Sequence, residues 1–446
     1  MKNFLLLLTF SGLSALAQTT VQDKALTPEQ TKNVQLPDVA KNVVNNENPL
    51  NITVECSRKS HLVHINEPFE FIITADKPKK LKVVVSMDGE AILKRLTVTP
   101  PARVQTVLPQ PGFVRCAVSS FEKDSQPVLC GVGVDPDQLR PLLPEPPDFD
   151  EFWNNTKAEL ADIPADFKMQ KYASDNVFEY YQISCANLNN QKAYAFLSLP
   201  VDKTKKLPLL VTFPGGEAYQ NEEAFVNSCA NKSMGMECAR LIYHLPPYPP
   251  EKNLANAKAR HGQFLKEIGL GRYIFFGVED RNKFYTRTAV TGCLRLLDEA
   301  LKQPGLDTER VVYHGASHGG AFGLYLVAFS DKFKAAFCGV PNFGDRGGFL
   351  AGRHTPDSSR TSQIFRSHLD TLLYFDTAFA ARRIEIPVMI GVGFIDPFCT
   401  PSSVYTIYNE LKGPKILLPK IKNGHGDAPP EYGPMTYLWL SKQINN

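Results

Sequence analysis

From residue 51 to about 134 the chain alternates apolar and polar positions in short runs: "FEFIITA", "KKLKVVVSM", "ILKRLTVT", "GFVRCAVSS" and "PVLCGVGV". Proline, glycine, aspartate and lysine separate them. A two-residue period marks strands with one buried face, and turn residues at this spacing predict a small antiparallel β-sandwich over residues 50–140. The proline-rich "DPDQLRPLLPEPPDFD" follows as a linker, with Asp148 or Asp150 placed to cap a helix starting near "FDEFW".

Beyond residue 163 the rhythm changes. "EYYQISCANLNNQKAYAFLSLP" reads as a hairpin turning at Asn189 and Asn190. "LPLLVTF", "RYIFFGV", "RVVYHG", "KAAFCGV", "PVMIGVG" and "KILLPKI" are continuous apolar runs, the pattern of strands covered on both faces. Helical spacing appears between them, as in Val290, Cys293, Leu294, Leu297 and Leu301. This alternation predicts a doubly wound α/β sheet across residues 141–446. Residues 217–268, rich in aromatics and proline, read as a wall that sets substrate choice or as a covering excursion that touches no substrate.

The first residues depart from both patterns. "MKNFLLLLTFSGLSALAQ" has an early lysine, an apolar stretch too short to span a bilayer, and a small-residue site after Ala17. It is expected to be a signal peptide over residues 1–17, which predicts an exported protein, periplasmic or secreted, with no membrane span. No cysteine precedes Cys56, so lipid attachment there is not expected. Residues 18–49 are polar and lack periodicity, a lead-in segment.

A length of 446 residues fits two packed units better than one. The net charge of +3, from 49 basic and 46 acidic residues, offers no footprint for nucleic acid and little field for an anionic substrate. Most of the nine cysteines sit in apolar runs, as Cys293 and Cys338 do, and read as buried thiols. Cys116 with Cys130 and Cys229 with Cys238 are spaced as disulfide candidates for an oxidising compartment. Nothing has the spacing of a zinc site, and no metal or organic cofactor is expected.

Chemistry enters at Gly315-Ala316-Ser317-His318-Gly319, between the strand run "RVVYH" and the helical "GAFGLYLVAF". A G-x-S-x-G turn joining strand to helix lifts the serine hydroxyl out of the sheet, and side chains at Gly315 or Gly319 would clash. The alternative is a glycine-rich turn with an incidental serine. Serine needs a base. His425, in the glycine-framed "KIKNGHGD" after the last apolar strand, is placed to supply it, and Asp396, ending "PVMIGVGFIDPF", to orient it. Asp427 lies too near His425 to be preferred, and Asp345, Asp370 and Asp376 end no apolar strand before it. His314 is expected to be packed in its strand, whereas His244, His261, His354 and His368 are expected on solvated surfaces. For an oxyanion the N–H groups of His318 and Gly216 are the candidates, the latter in "FPGGEAY"; Gly215 and Tyr219 would line the substrate. A plain strand-ending turn is the alternative for that loop.

Three stretches carry a resemblance: "PPDFDEFWNNTKAEL", "FYTRTAVTGCLRLLDEALKQPGLDTERVVYHGASHGG" and "YFDTAFAARRIEIPVMIGVGFIDPFCTPSSVYTIYNELKGPKILLPKIKNGHG". From about residue 144 onward the chain resembles the acetyl xylan esterase / cephalosporin C deacetylase family of α/β-hydrolases, carbohydrate esterase family 7. The resemblance implies deacetylation of acetylated sugars or xylan-type oligosaccharides, with Ser317, Asp396 and His425 matching the family's triad. Three positions depart from it. His318 stands where the family usually has glutamine, Gly216 stands at its oxyanion tyrosine, and its Arg-Gly-Gln-Gly motif is not recognisable. The expected partner is an acetylated saccharide, and a homo-oligomer is left open. A longer-chain esterase or serine peptidase of the same fold is the nearest rival. A non-catalytic glycan-binding protein, with Phe69, Phe71, Phe113 and Phe121 as a sugar platform or as core, is the more distant one.

Overall fold

Alternation along "FEFIIT" puts Phe69, Phe71 and Ile73 on one face, and all three are buried in the computed structural model. The structure describes residues 50–216, 220–230, 237–353, 363–364, 366–426 and 428–445. The expected signal peptide, the polar lead-in, Tyr219, His354 and Asp427 lie outside the described residues.

The first strands are β1 (Thr53–Cys56), β2 (Leu62–Val63), β3 (Phe69–Thr74), β4 (Leu81–Met87), β5 (Ile92–Val98), β6 (Ala102–Thr106), β7 (Gly112–Ser119) and β8 (Val128–Val134). They form a three-stranded sheet, β1-β3-β6, and a five-stranded sheet, β2-β8-β7-β4-β5. The two sheets share one apolar core, in which Phe71, Ile73 and Val104 meet Val83, Val85, Val114 and Val132. All pairings are antiparallel except the short β2–β8 contact, which is parallel. Phe69 and Phe71 are core residues, Phe113 packs toward the other domain core, and Phe121 is exposed. The four phenylalanines therefore form no platform.

The second sheet has nine strands: β9 (Lys168–Ser174), β10 (Phe178–Ala186), β11 (Lys192–Pro200), β12 (Leu207–Thr212), β13 (Ala239–His244), β14 (Leu306–Ala316), β15 (Phe333–Gly339), β16 (Val388–Gly393) and β17 (Lys415–Lys420). Their order is β17-β16-β15-β14-β12-β13-β11-β10-β9. Pairing is parallel from β13 to β17 and antiparallel from β9 to β11 and at β11–β13. Successive side chains leave opposite faces. Leu209, Val211, Val311, Tyr313 and Ala336 face the large core under helices Tyr285–Leu301 and His318–Phe329. Leu210, Val312 and Ala335 face Leu440 and Ile444 of the last helix, Tyr432–Asn445. Both faces of the central strands are covered, which explains their continuous apolar runs; β17, expected to be covered likewise, lies at the sheet edge and leaves Ile416 exposed.

The hairpin of β10 and β11 turns through Asn189 and Asn190, both at positive φ (56° and 55°). One expected strand is absent. "RYIFFGV" holds a 3₁₀ turn, Tyr273–Phe275, and the strand beside β12 is instead β13, inside the stretch read as a wall. Tyr273, Ile274 and Phe275 are all buried, so the apolar run reported burial correctly but not backbone conformation. The nine cysteines are free thiols. Cys116 faces Cys130 across the β7–β8 ladder, yet burial pushes the Cys116 thiol up to about 12, far from the thiolate that exchange requires. Cys238, likewise unpaired with Cys229, is pushed up to about 11 by the same burial.

Candidate active site

β14 delivers Ser317 to the sheet's carboxyl edge at φ 58°, ψ −122°, a conformation that L-residues adopt only when their surroundings enforce it. The enforcement is steric. A Cβ on Gly315 would sit 2.8 Å from the Gly319 carbonyl oxygen, and one on Gly319 would sit 2.3 Å from that of Phe213. The Ser317 N–H donates to Gly339 O at 2.8 Å, and its carbonyl accepts from the N–H of Ala321 at 3.0 Å. The helix His318–Phe329 thus begins directly behind the hydroxyl, aiming partial positive charge at its surroundings.

The acid turn follows β16. Asp396 is fully buried. Its Oδ1 accepts from the N–H groups of Phe398 (2.8 Å) and Cys399 (2.9 Å), and its Oδ2 lies 2.8 Å from Nδ1 of His425. The base loop follows β17 and packs on that turn closely enough that a Cβ on Gly393 would lie 2.7 Å from Gly424 O. His425 Nε2 is 2.9 Å from Ser317 Oγ. A carboxylate can only accept, so Nδ1 carries the proton and Nε2 is left to accept from the serine hydroxyl. The T-shaped Phe398 ring, 5.2 Å centre to centre, flanks the imidazole. Ser317, Asp396 and His425, 108 and 29 residues apart along the chain in their two contacts, therefore come together as one hydrogen-bonded line.

His318 does more than lie at a helix start. Its ring is buried; Nδ1–H donates to Gly216 O at 2.5 Å, and Nε2 lies 2.9 Å from the Tyr285 hydroxyl. The side chain thus ties the Gly215-Gly216 loop to the elbow. Gly216 has φ +60° and open space around its Cβ position, and a Cβ on Gly215 would meet Ala316 O at 3.6 Å. Sequence reading missed the Tyr285 contact and a second one: Arg115 Nη2 donates to the backbone carbonyl of Asp396 at 2.6 Å.

The remaining histidines are differently placed. Burial holds His314 down to about 3, stacked on Tyr437 at 4.2 Å, in keeping with a packed strand residue. His244 and His261, expected on solvated surfaces, are buried, because β13 and the helix Leu254–Ile268 belong to the core; burial also takes His244 to about 3. Asp376 is a buried helix cap that accepts from the N–H of Ala378, and Asp345 pairs with Arg353 at 3.0 Å. Among the described residues, Asp396, Cys399 and His425 bring ligand-type atoms within 4.8 Å of one another. An ion bound there would consume the Nδ1–Oδ2 bond that aligns His425.

A family model described as Acetyl xylan esterase (AXE1) matches residues 137–443. The chain belongs to the acetyl xylan esterase family. It is a carboxylic ester hydrolase of acetyl xylan esterase type with an α/β-hydrolase fold. Acetyl esterase Axe7A of Xylanibacter ruminicola is 28% identical over 341 residues, 75% of each chain. The acetyl xylan esterase from Paenibacillus sp. R4 aligns at TM-score 0.54 and 20% identity, over 69% of this chain and 98% of that one. Acetyl xylan esterase 1 from Thermoanaerobacterium sp. JW/SL YS485 aligns at 0.56 and 19%, over 69% and 97%. The family match covers the nine-stranded sheet but leaves β1–β8 outside. A glycan-binding protein without catalysis is thereby set aside.

Proposed function

We propose that this esterase is an exported serine deacetylase that removes acetyl groups from acetylated saccharides of xylan type through an acetyl-serine intermediate. The observation that carries the reading is the line Ser317 Oγ–His425 Nε2–Asp396 Oδ2, at 2.9 and 2.8 Å, inside the range a working base requires. His425 takes the hydroxyl proton as Ser317 Oγ attacks the acetyl carbonyl carbon. Asp396 holds the imidazole in the required tautomer and stabilises the imidazolium. The N–H groups of His318 and Gly216 receive the oxyanion, each such donor contributing about 3 kcal/mol in hydrolases of this kind. The tetrahedral intermediate collapses as His425 protonates the departing sugar oxygen. Water, deprotonated by the same histidine, then releases acetate and restores Ser317. The names of the relatives support an acetylated xylan or oligosaccharide as substrate, and residues 1–17 support export. Among the described residues no helix is long and apolar enough to cross a membrane.

Ser317→Ala is expected to lower kcat for p-nitrophenyl acetate by at least about 10⁴-fold with the circular dichroism spectrum unchanged. Turnover close to the parent's would refute the nucleophile. Acetate release from acetylated xylo-, manno- and amino-sugar oligosaccharides, set beside butyrate and octanoate esters, tests the substrate class; a preference for octanoate would replace it with a longer-chain esterase.

A further inference from the structure

Period two along β7 sends Val114, Cys116 and Val118 into the N-terminal core and Phe113 and Arg115 out of the opposite face. An arginine on that outer face would ordinarily be solvated, yet Arg115 is 7% exposed because the nine-stranded domain covers it. The two units meet backbone to backbone there: a Cβ on Gly131 of β8 would stand 2.2 Å from Phe394 O. Phe113 packs edge-on to Phe394 at 5.0 Å and lies 5.2 Å from Tyr405. The guanidinium has crossed from one unit to the other and hydrogen-bonds the Asp396 carbonyl at 2.6 Å, 281 residues away in sequence.

We infer that Arg115 is a positioning residue for the catalytic acid, fastening the 393–399 turn to the N-terminal sheet so that Asp396 Oδ2 stays in line with His425. The inference rests on the triad reading above. The two N–H groups that hold Oδ1 belong to the same turn, so they set the carboxylate within the turn but not the turn against the rest of the molecule. Within the nine-stranded unit the turn is tied to β17, where the Phe394 N–H donates to Lys420 O at 3.1 Å; Arg115 adds an anchor from outside that unit. Its charge lies in the field of Asp88 and Asp396, the acidic groups facing it, with Asp88 buried beside it at the end of β4. Because the family match begins at residue 137, the anchor comes from a part of the chain that the family's shared region does not contain.

The experiment is a double-mutant cycle on the full chain, with Ser317→Ala as a parallel control. Arg115→Met keeps the buried stem and removes the donor. It is expected to lower kcat for p-nitrophenyl acetate by about 10- to 100-fold, the scale of a sub-ångström to ångström misplacement, with KM within about twofold. In an Asp396→Asn background the same change is expected to lower the residual kcat less than about twofold, since the group being positioned is already gone. Unchanged kcat in Arg115→Met, or an equal loss in both backgrounds, overturns the inference. Should Arg115→Met fail to fold, Arg115→Met combined with Asp88→Asn, which removes the facing carboxylate along with the donor, carries the same comparison against Asp88→Asn alone. Activity surviving in Ser317→Ala would sink the serine reading itself. Loss in Ser317→Ala and Asp396→Asn but not in Arg115→Met would sink only the role given to Arg115.

Discussion

The serine turn and the acid turn end parallel strands of one sheet, yet they are secured by different means. Ser317 is held by backbone packing within its own sheet: Gly315, Gly319 and Gly320 let the helix, the β12 loop and the end of β15 approach to distances that no side chain would permit. Asp396 is held in part from the N-terminal sheets, through Arg115 and the contact of Gly131 with Phe394. The strained backbone of Ser317 must be enforced by atoms packed directly on the turn, because strain persists only where the surroundings leave no alternative. The acid needs no unusual backbone, only a fixed place, and a distant anchor can provide that. Support for Ser317 therefore comes from strands of its own sheet, and part of the support for Asp396 reaches across from a separate one.

The sharpest way to break this contrast is Gly319→Ala. With 2.3 Å to Phe213 O and no flexible side chain to yield, the strand-helix packing has to open. It is expected to cost at least about 3 kcal/mol of stability by overpacking, with kcat down at least about 100-fold as the elbow shifts. Urea denaturation and steady-state kinetics check both figures; near-parental values would show that the elbow is not enforced by this packing.

A smaller effect is expected where the Gly215-Gly216 loop is tied to the elbow. His318→Leu preserves apolar volume but breaks the links to Gly216 O and Tyr285. A kcat loss of about tenfold is expected, below the 10²–10³ that follows deletion of an oxyanion donor itself, because the N–H groups remain. His318→Gln, able to donate to one partner and accept from the other, should recover most of it. Equal losses in both variants would mean that the ring acts by shape alone.

The smallest effect lies behind the acid anchor. Burial raises Asp88 to about 7 despite the opposing fields of Arg115 and Arg353, with Asp345 adding to the rise and Ser402 opposing it. The folded state then holds the Asp88 proton more tightly than the unfolded state. That contribution is full below the unfolded value of 3.8 and is lost as pH climbs toward 7. Asp88→Asn mimics the protonated form, so its Tm relative to the parent should rise between pH 5 and pH 8, by roughly 2–4 °C for a 1 kcal/mol gain. A difference that stays flat or falls over that interval would place Asp88 outside this balance.

Much of the molecule was legible before folding. Alternation along the first strands and continuous apolar runs in the later ones follow directly from one-sided and two-sided burial, so both sheet types could be anticipated. The elbow was readable because small residues around a serine between a strand run and a helical run form a compact local pattern, although the contacts that demand Gly319 and Gly320 come from Phe213 and Gly339. His425 and Asp396 were readable because each ends a strand at the sheet's carboxyl edge. "RYIFFGV" was misread as a strand, since apolar content reports burial and leaves conformation open, and β13 was hidden inside a stretch whose prolines pointed to a loop. His244 and His261 were placed at the surface for the same reason.

By itself, then, the order of residues determined which segments must be buried, where the chain turns too tightly for a side chain, and which three groups have the chemistry for acyl transfer. Folding alone decided that the ring of His318 would grip the Gly216 carbonyl and that Arg115, in a strand like any other, would end against Asp396. Local rules act between residues a turn apart, whereas these contacts depend on how two finished sheets come to rest on each other, and no short pattern encodes that distance.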